Sequence, residues 1–200
     1  MQDWWSYSLS DFLLFSPRTY YRMIERHNEA VWPTQLLTMA LGVAILGALR
    51  QPSTTQGRII AGIMALLWMW VAWAFLLYRY ATINWAINYV VPFFVLEALL
   101  LVWWGVIGGK LSFAVRREAS GRFGTALLVL SLLLYPALAV IFGRPWNQAE
   151  VFGIAPDPTV AATVGLLLLT NSRLRWGLLP VPLLWCGITA ATLLAMSAQS

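Results

Sequence analysis

The chain has 200 residues, of which 60% are hydrophobic and only 10% charged, whereas a soluble domain carries about 25% charged residues. That composition excludes an ordinary soluble domain and points to an all-α, polytopic membrane helical bundle. The net charge of +5 is no nucleic-acid signal, because the basic residues flank apolar stretches and no basic tract is interleaved with aromatics to grip a strand.

Residues 1–31 read as an N-terminal interfacial segment and 32–200 as the bundle. The start, Met1-Gln2-Asp3-Trp4-Trp5, has no basic n-region and no small-residue cleavage site, so the first membrane helix is expected to direct insertion itself. Ser16-Pro17 is a helix start, with Ser capping free N–H groups and Pro suiting the first turn. The helix is predicted over 17–30, ending before Pro33. Tyr20, Met23, Ile24, His27 and Val31 fall on one face, and Arg18, Arg22, Glu25 and Glu29 on another. With Trp4, Trp5, Tyr7 and Trp32 as an aromatic belt, it is expected to lie at the membrane surface. Its arginines sit near the N-terminus and its glutamates near the C-terminus, which the helix dipole disfavours by ~0.3–1 kcal/mol per charge. Arg18, Arg22, Glu25 and Glu29 are therefore expected either to dock a partner outside the helix or to pair with lipid headgroups and face water.

Six apolar stretches follow, at 32–49, 59–78, 92–108, 123–142, 160–170 and 178–196. Crossing ~30 Å of hydrocarbon takes about 20 apolar residues. Four stretches fit well, one is slightly short and the fifth is clearly short. The second carries Trp68, Trp70 and Trp73 near its middle, an aromatic wall for a ring, a pigment or a cation, or simple packing. Residues 78–91, with Asn84 and Asn88 one turn apart, read as an interfacial half-helix or a long start to the third span. Glu97 is the informative residue of that span: a carboxyl ~8 Å past Pro92 along the helix is costly and wants a partner or a wet cavity. Arg79, Arg144 and Tyr135 are its expected partners. Pro136 is expected to kink the fourth span. In the loop 143–159, Asp157 is expected to cap the fifth span with Pro158 in its first turn. That span either extends by snorkelling of Arg173 and Arg175 or is a partial, re-entrant helix. Ala161 and Gly165, and Gly187, Ala191 and Ala195, form small-residue faces that build the bundle or an oligomer. Cys186, the only cysteine, reads as a small packing residue of the sixth span.

Loop charge sets orientation. The loops after spans one, three and five hold Arg50, Arg58, Lys110, Arg116, Arg117, Arg122, Arg173 and Arg175. The other side holds Arg18, Arg22, Arg26, Arg79 and Arg144. The bias places both termini in the periplasm and the basic loop 110–122 in the cytoplasm, against anionic lipid. No phosphate loop, HExxH, paired-Cys motif or nucleophile elbow is present. His27 is the only histidine, so a multi-His haem or di-metal site within this chain is excluded. No cofactor or metal is expected, and an enzyme ranks last.

Three stretches carry a resemblance: Leu9-Ser10-Asp11-Phe12-Leu13-Leu14-Phe15-Ser16-Pro17-Arg18-Thr19-Tyr20-Tyr21-Arg22, residues 28–33, and Phe152-Gly153-Ile154-Ala155-Pro156-Asp157-Pro158-Thr159. The chain resembles an uncharacterised family of small bacterial integral-membrane proteins. Some relatives carry Cys where this chain has Asp157, so no thiol–metal role carries over. The resemblance implies a bacterial inner-membrane location and brings no activity, cofactor or catalytic residue. The expected function is a small transporter or channel for a solute or ion, with Glu97, Arg79, Arg144 and Asp157 as its polar site. The alternative is an accessory or assembly subunit of a larger membrane complex. The expected partners are the lipid bilayer and either further copies of the chain or that complex.

Overall fold

The computed structural model describes residues 15–197 and is all-helical apart from one isolated bridge between Phe113 and Thr170. Trp4, Trp5 and Tyr7 of the expected belt, and residues 9–14 of the first resembling stretch, lie outside the described residues.

The surface helix forms as its sequence dictates. α1 (Pro17–Ala30) starts at Ser16, whose hydroxyl accepts the Thr19 N–H, and buries Tyr20, Met23, Ile24 and His27. The chain then turns by 88° at Val31–Pro33 into α2 (Thr34–Ala48). The long α3 (Thr54–Trp70) is capped by Ser53 and continues through a wider π-turn over Val71–Leu77. Residues 78–91 resolve into two short 3-10 turns, Tyr80–Thr82 and Trp85–Tyr89, with the Asn84 side chain accepting from Ala86 N–H. Pro92 takes its place in the first turn of α4 (Val91–Leu100), which also widens, over Leu101–Ile107. The fourth apolar stretch becomes α5 (Ala119–Val129), a π-turn over Leu130–Leu134, and α6 (Tyr135–Ile141). The break falls where Pro136 removes a backbone donor. α7 (Pro156–Leu168), the four-residue α8 (Arg175–Leu178) and α9 (Pro180–Ser197) complete the chain.

Four continuous helical stretches are long and apolar enough to cross a membrane: Thr54–Thr82, Trp85–Ile107, Ala119–Ile141 and Arg175–Ser197. A fifth is added only if the bent α1–α2 pair is taken as one span. The sequence predicts six, and the shortfall lies in α2 and α7, which have 15 and 13 residues.

α7 is mostly enclosed: Val160, Ala162, Thr163, Gly165, Leu166 and Leu167 are buried, and one stripe of Asp157, Ala161, Val164 and Leu168 is half-buried. It packs against α5 with almost nothing between the backbones. A Cβ added at Gly165 would sit 2.9 Å from the Gly124 carbonyl oxygen. Gly165 thus packs inside the bundle, with Ala161 half-buried one turn before it, whereas Gly187 on α9 has nothing near it. Loops fold over both ends of α7: Phe152, Ile154 and Ala155 are buried at its start, Leu111 and Phe113 near its finish.

The loops group at two ends as the alternating helices require. Arg58 lies against Gly109, and Phe113 bridges to Thr170, at one end. Tyr20 meets Tyr80 and Glu150, and Leu193 lines a cavity with Tyr21, at the other. Large apolar side chains such as Leu66, Leu99, Ile141 and Leu194 stand exposed along the flanks. Monomeric soluble proteins rarely tolerate so much contiguous apolar surface. Cys186 is exposed on that flank and does not pack in the interior as expected; Gly187 and Ala191 also face outward, while Ala195 is buried.

Candidate functional site

The described parts of the first two resembling stretches lie on and beside α1, more than 100 residues before the third, and the two regions meet at one end of the bundle. α1 grips the loop that precedes α7. Asn28 Nδ2 donates to the carbonyl oxygens of Asn147 (2.9 Å) and Ala149 (2.8 Å). The Glu25 carboxylate accepts from Asn147 Nδ2 (2.9 Å) and Gln148 Nε2 (3.1 Å). These bonds deliver Glu150 to the interior. Its carboxyl accepts from the Tyr20 hydroxyl at 3.4 Å. Gly153, at φ +73°, then turns the chain in a conformation that favours glycine. Its N–H is received by the Thr159 hydroxyl (2.9 Å), which in turn donates to Ala155 O (2.8 Å).

Asp157 does not cap α7. The N-cap is Ala155, with Pro156 in the first turn, because two prolines flank the aspartate and the first of them begins the helix. The Asp157 carboxylate turns sideways to α9, where it accepts from the Trp185 indole N–H and from the Thr189 hydroxyl (2.8 Å). Its position in the first turn still suits the helix dipole.

Glu150 and Asp157 line one cavity of about 440 Å³, together with Tyr20, Tyr21, Tyr135, Arg144 and an apolar wall of Leu138, Ala139, Phe142 and Leu193. That volume falls in the range of small-molecule sites. The Arg144 guanidinium stacks over the Tyr21 ring at 4.3 Å and donates to Gln148 O at 3.4 Å. Burial pushes the Glu150 carboxyl above the usual carboxylate range, and the Asp157 charge pushes it further; Arg144 and the Tyr20 hydroxyl work against both. The same burial, with the Glu150 and Asp157 charges behind it, raises the Tyr20 phenol. Two carboxyls and one guanidinium give this cavity the chemistry to accommodate either a cation or a proton. Among the described residues no three His, Cys, Asp or Glu gather closely enough to hold a metal ion.

An aromatic column stands beside the cavity. Phe94 of α4 packs between Trp68 (centroids 4.5 Å apart) and Trp185 (5.1 Å). The Trp68 indole N–H donates to Thr163 Oγ1 at 2.8 Å, so two tryptophans from α3 and α9 both anchor on α7. The three tryptophans do not form the one expected wall: Trp70 and Trp73 meet edge-to-face at 5.5 Å, apart from Trp68. Trp68 is fully buried while Trp73 is 55% exposed, since residues two and five positions on in a helix point well away from the first. Glu97 lies one turn beyond Phe94, fully buried, and neither carboxylate oxygen has a hydrogen-bond partner in the protein. Its expected partners stand elsewhere: Arg144 and Tyr135 line the cavity, and Arg79 lines a separate cleft with Arg18 and Arg22.

Arg144 and Asp157 thus come together as expected, without Glu97 and Arg79. Glu150, Tyr20 and Tyr21 are the residues that sequence reasoning missed. The signal was the Tyr20-Tyr21 pair on the buried side of α1. Of the docking charges, Glu25 is engaged by the chain's own loop, and Glu29 borders a pocket with Trp32 and Trp146.

The chain belongs to a family of unknown function, DUF6064, whose model matches residues 18–199. Two of the three resembling stretches, 28–33 and 152–159, fall within the matched residues. No curated protein and no solved structure matches the chain.

Proposed function

We propose that this member of the family is a multi-pass protein of the bacterial inner membrane that binds a small solute or ion in the cavity at the start of α7 and moves it across the bilayer. In this reading α2 and α7 join the four long helices as a six-helix membrane bundle. Both termini, and the cavity with them, face the periplasm, because the opposite end carries more Lys and Arg. The observation that carries the proposal is the convergence of Glu150, Asp157 and Arg144 in one cavity at the first turn of a helix too short to cross alone. Ionisable groups in such a place are expensive to hold and mark ion or substrate pathways. Glu97, buried one turn past the aromatic column, is the next carboxyl inward.

Native mass spectrometry of the protein, extracted in mild detergent from its own host, tests this. The expected result is a homo-oligomer or monomer that retains a small molecule or ion, and a Glu150→Gln variant that folds but retains none. Stoichiometric foreign subunits, with no retained molecule, overturn transport in favour of an accessory subunit. The outward small residues of α9 around Gly187 favour that second reading, since they leave a flat face for another helix.

A further inference from the structure

A second cleft, of about 320 Å³, opens between α1 and the turn after α3. Its lining includes Arg18, Arg22, Arg26 and Arg79, over a floor of Met23 and Ile83. The three arginines of α1 stand one turn apart on a single stripe, an arrangement of like charges that destabilises a helix by itself. Arg79 brings a fourth positive charge from a different element. None of the described carboxylates at this end answers them: Glu25 is held by Asn147 and Gln148, Glu29 borders a different pocket, Glu150 receives Tyr20, and Asp157 receives Trp185 and Thr189. Four guanidiniums that converge without an acid want an anion with several acceptor oxygens, and a phosphate fits their forked donors. The level of the cleft is marked independently. Tyr78, Trp85 and Tyr89, immediately around the Arg79 turn, are exposed, and exposed Trp and Tyr on membrane helices sit at headgroup depth.

We propose that this cleft binds the phosphodiester headgroup of an anionic phospholipid, with the arginines on the phosphate and Met23 and Ile83 against the glycerol and upper chain. The cleft is separate from the Glu150–Asp157 cavity and does not depend on the transport reading. It accounts for the arginines at the wrong end of the α1 dipole: their counter-charge is a lipid.

The full-length protein, delipidated in detergent, is titrated with dioleoylphosphatidylglycerol, with dioleoylphosphatidylcholine and with inorganic phosphate. Bound lipid is counted by native mass spectrometry and the melting temperature is followed. The expected result is a preference of roughly tenfold for the glycerol lipid, lost in Arg22→Gln/Arg26→Gln and largely kept in Arg22→Lys/Arg26→Lys. An Arg116→Gln/Arg117→Gln control at the opposite end leaves this preference in place. Equal binding of the two lipids, or a preference that survives the double Gln substitution, overturns the proposal. Inorganic phosphate that stabilises as well as the lipid assigns the cleft to a free phosphate and overturns the lipid assignment. If the double variant does not fold, Arg79→Gln alone is put through the same titration, and an undiminished preference overturns the proposal.

Discussion

Replacing Glu97 by methionine should make the protein more stable. The side chain, on α4, is fully buried, and neither of its oxygens finds a donor in the protein. A buried polar group left unpaired costs about 1–3 kcal/mol, and replacing buried ionisable groups by apolar ones of similar volume is often stabilising by about 1–4 kcal/mol. Methionine matches the length of glutamate and adapts its thioether to irregular space, so Glu97→Met is expected to gain about 2–4 kcal/mol. For a chain of this size each kcal/mol moves the melting temperature by roughly 2–4 °C. A rise of roughly 4–16 °C by differential scanning fluorimetry in detergent is the expected reading. Glu97→Gln keeps the polar burden and should gain much less, while abolishing transport if the carboxyl relays a proton or cation. A Glu97→Met variant that melts below the wild type would refute the reasoning, because it would mean that the carboxyl is held by favourable contacts. A fully functional Glu97→Gln variant would remove Glu97 from the transport path.

Other substitutions probe the packing around α7. Gly165→Ala places a Cβ 2.9 Å from Gly124 O and 3.0 Å from Leu128 N, both backbone atoms that cannot swing aside. Such overpacking costs about 1–3 kcal/mol, visible as a lowered melting temperature. Thr163→Val removes the acceptor of the buried Trp68 indole N–H and should cost about 1–3 kcal/mol, with a change in tryptophan fluorescence; an unchanged melting temperature would show that this bond carries no net stability. His27 on α1 has its pKa lowered from 6.5 to about 4, by burial first and by the Arg79 charge second. The folded state therefore binds fewer protons than the unfolded one between those values, and stability must fall as pH drops through that window. The full loss is about 3 kcal/mol, and His27→Phe, which keeps an aromatic ring against Phe75, should flatten this part of the melting-temperature profile.

Much of the fold is written in local sequence. Ser16-Pro17 and Ser53 start helices where capping chemistry places them, Pro92 begins α4, and the shortness of α7 is visible in the count of apolar residues before Asn171. The error at Asp157 shows where local reading ends. Pro156-Asp157-Pro158 offers two equivalent helix starts two residues apart, and only α9, whose Trp185 lies 28 residues later, decides that the carboxylate serves Trp185 and Thr189. The tryptophans of α3 fail for the opposite reason. Their closeness in sequence hid a rotation of 100° per residue that sends Trp68 inward and Trp73 outward. Glu150 was hidden because a carboxyl in a polar loop looks solvated until Asn28 and Glu25, on a distant helix, draw that loop in.

If α7 lies in the membrane as proposed, its making is constrained by its length. Thirteen residues reach only ~20 Å, less than the ~30 Å of hydrocarbon, and Asp157 travels with them. As the chain is synthesised, α5 is already in place when α7 arrives and offers Gly124 as a seat for Gly165. The donors for Asp157 belong to α9, which has not yet been made. On that reading α7 is only half lodged until α9 enters. Shortening the chain before Trp185 should strip α7 of its anchor as well as α9 of its place, and expose both to membrane quality control.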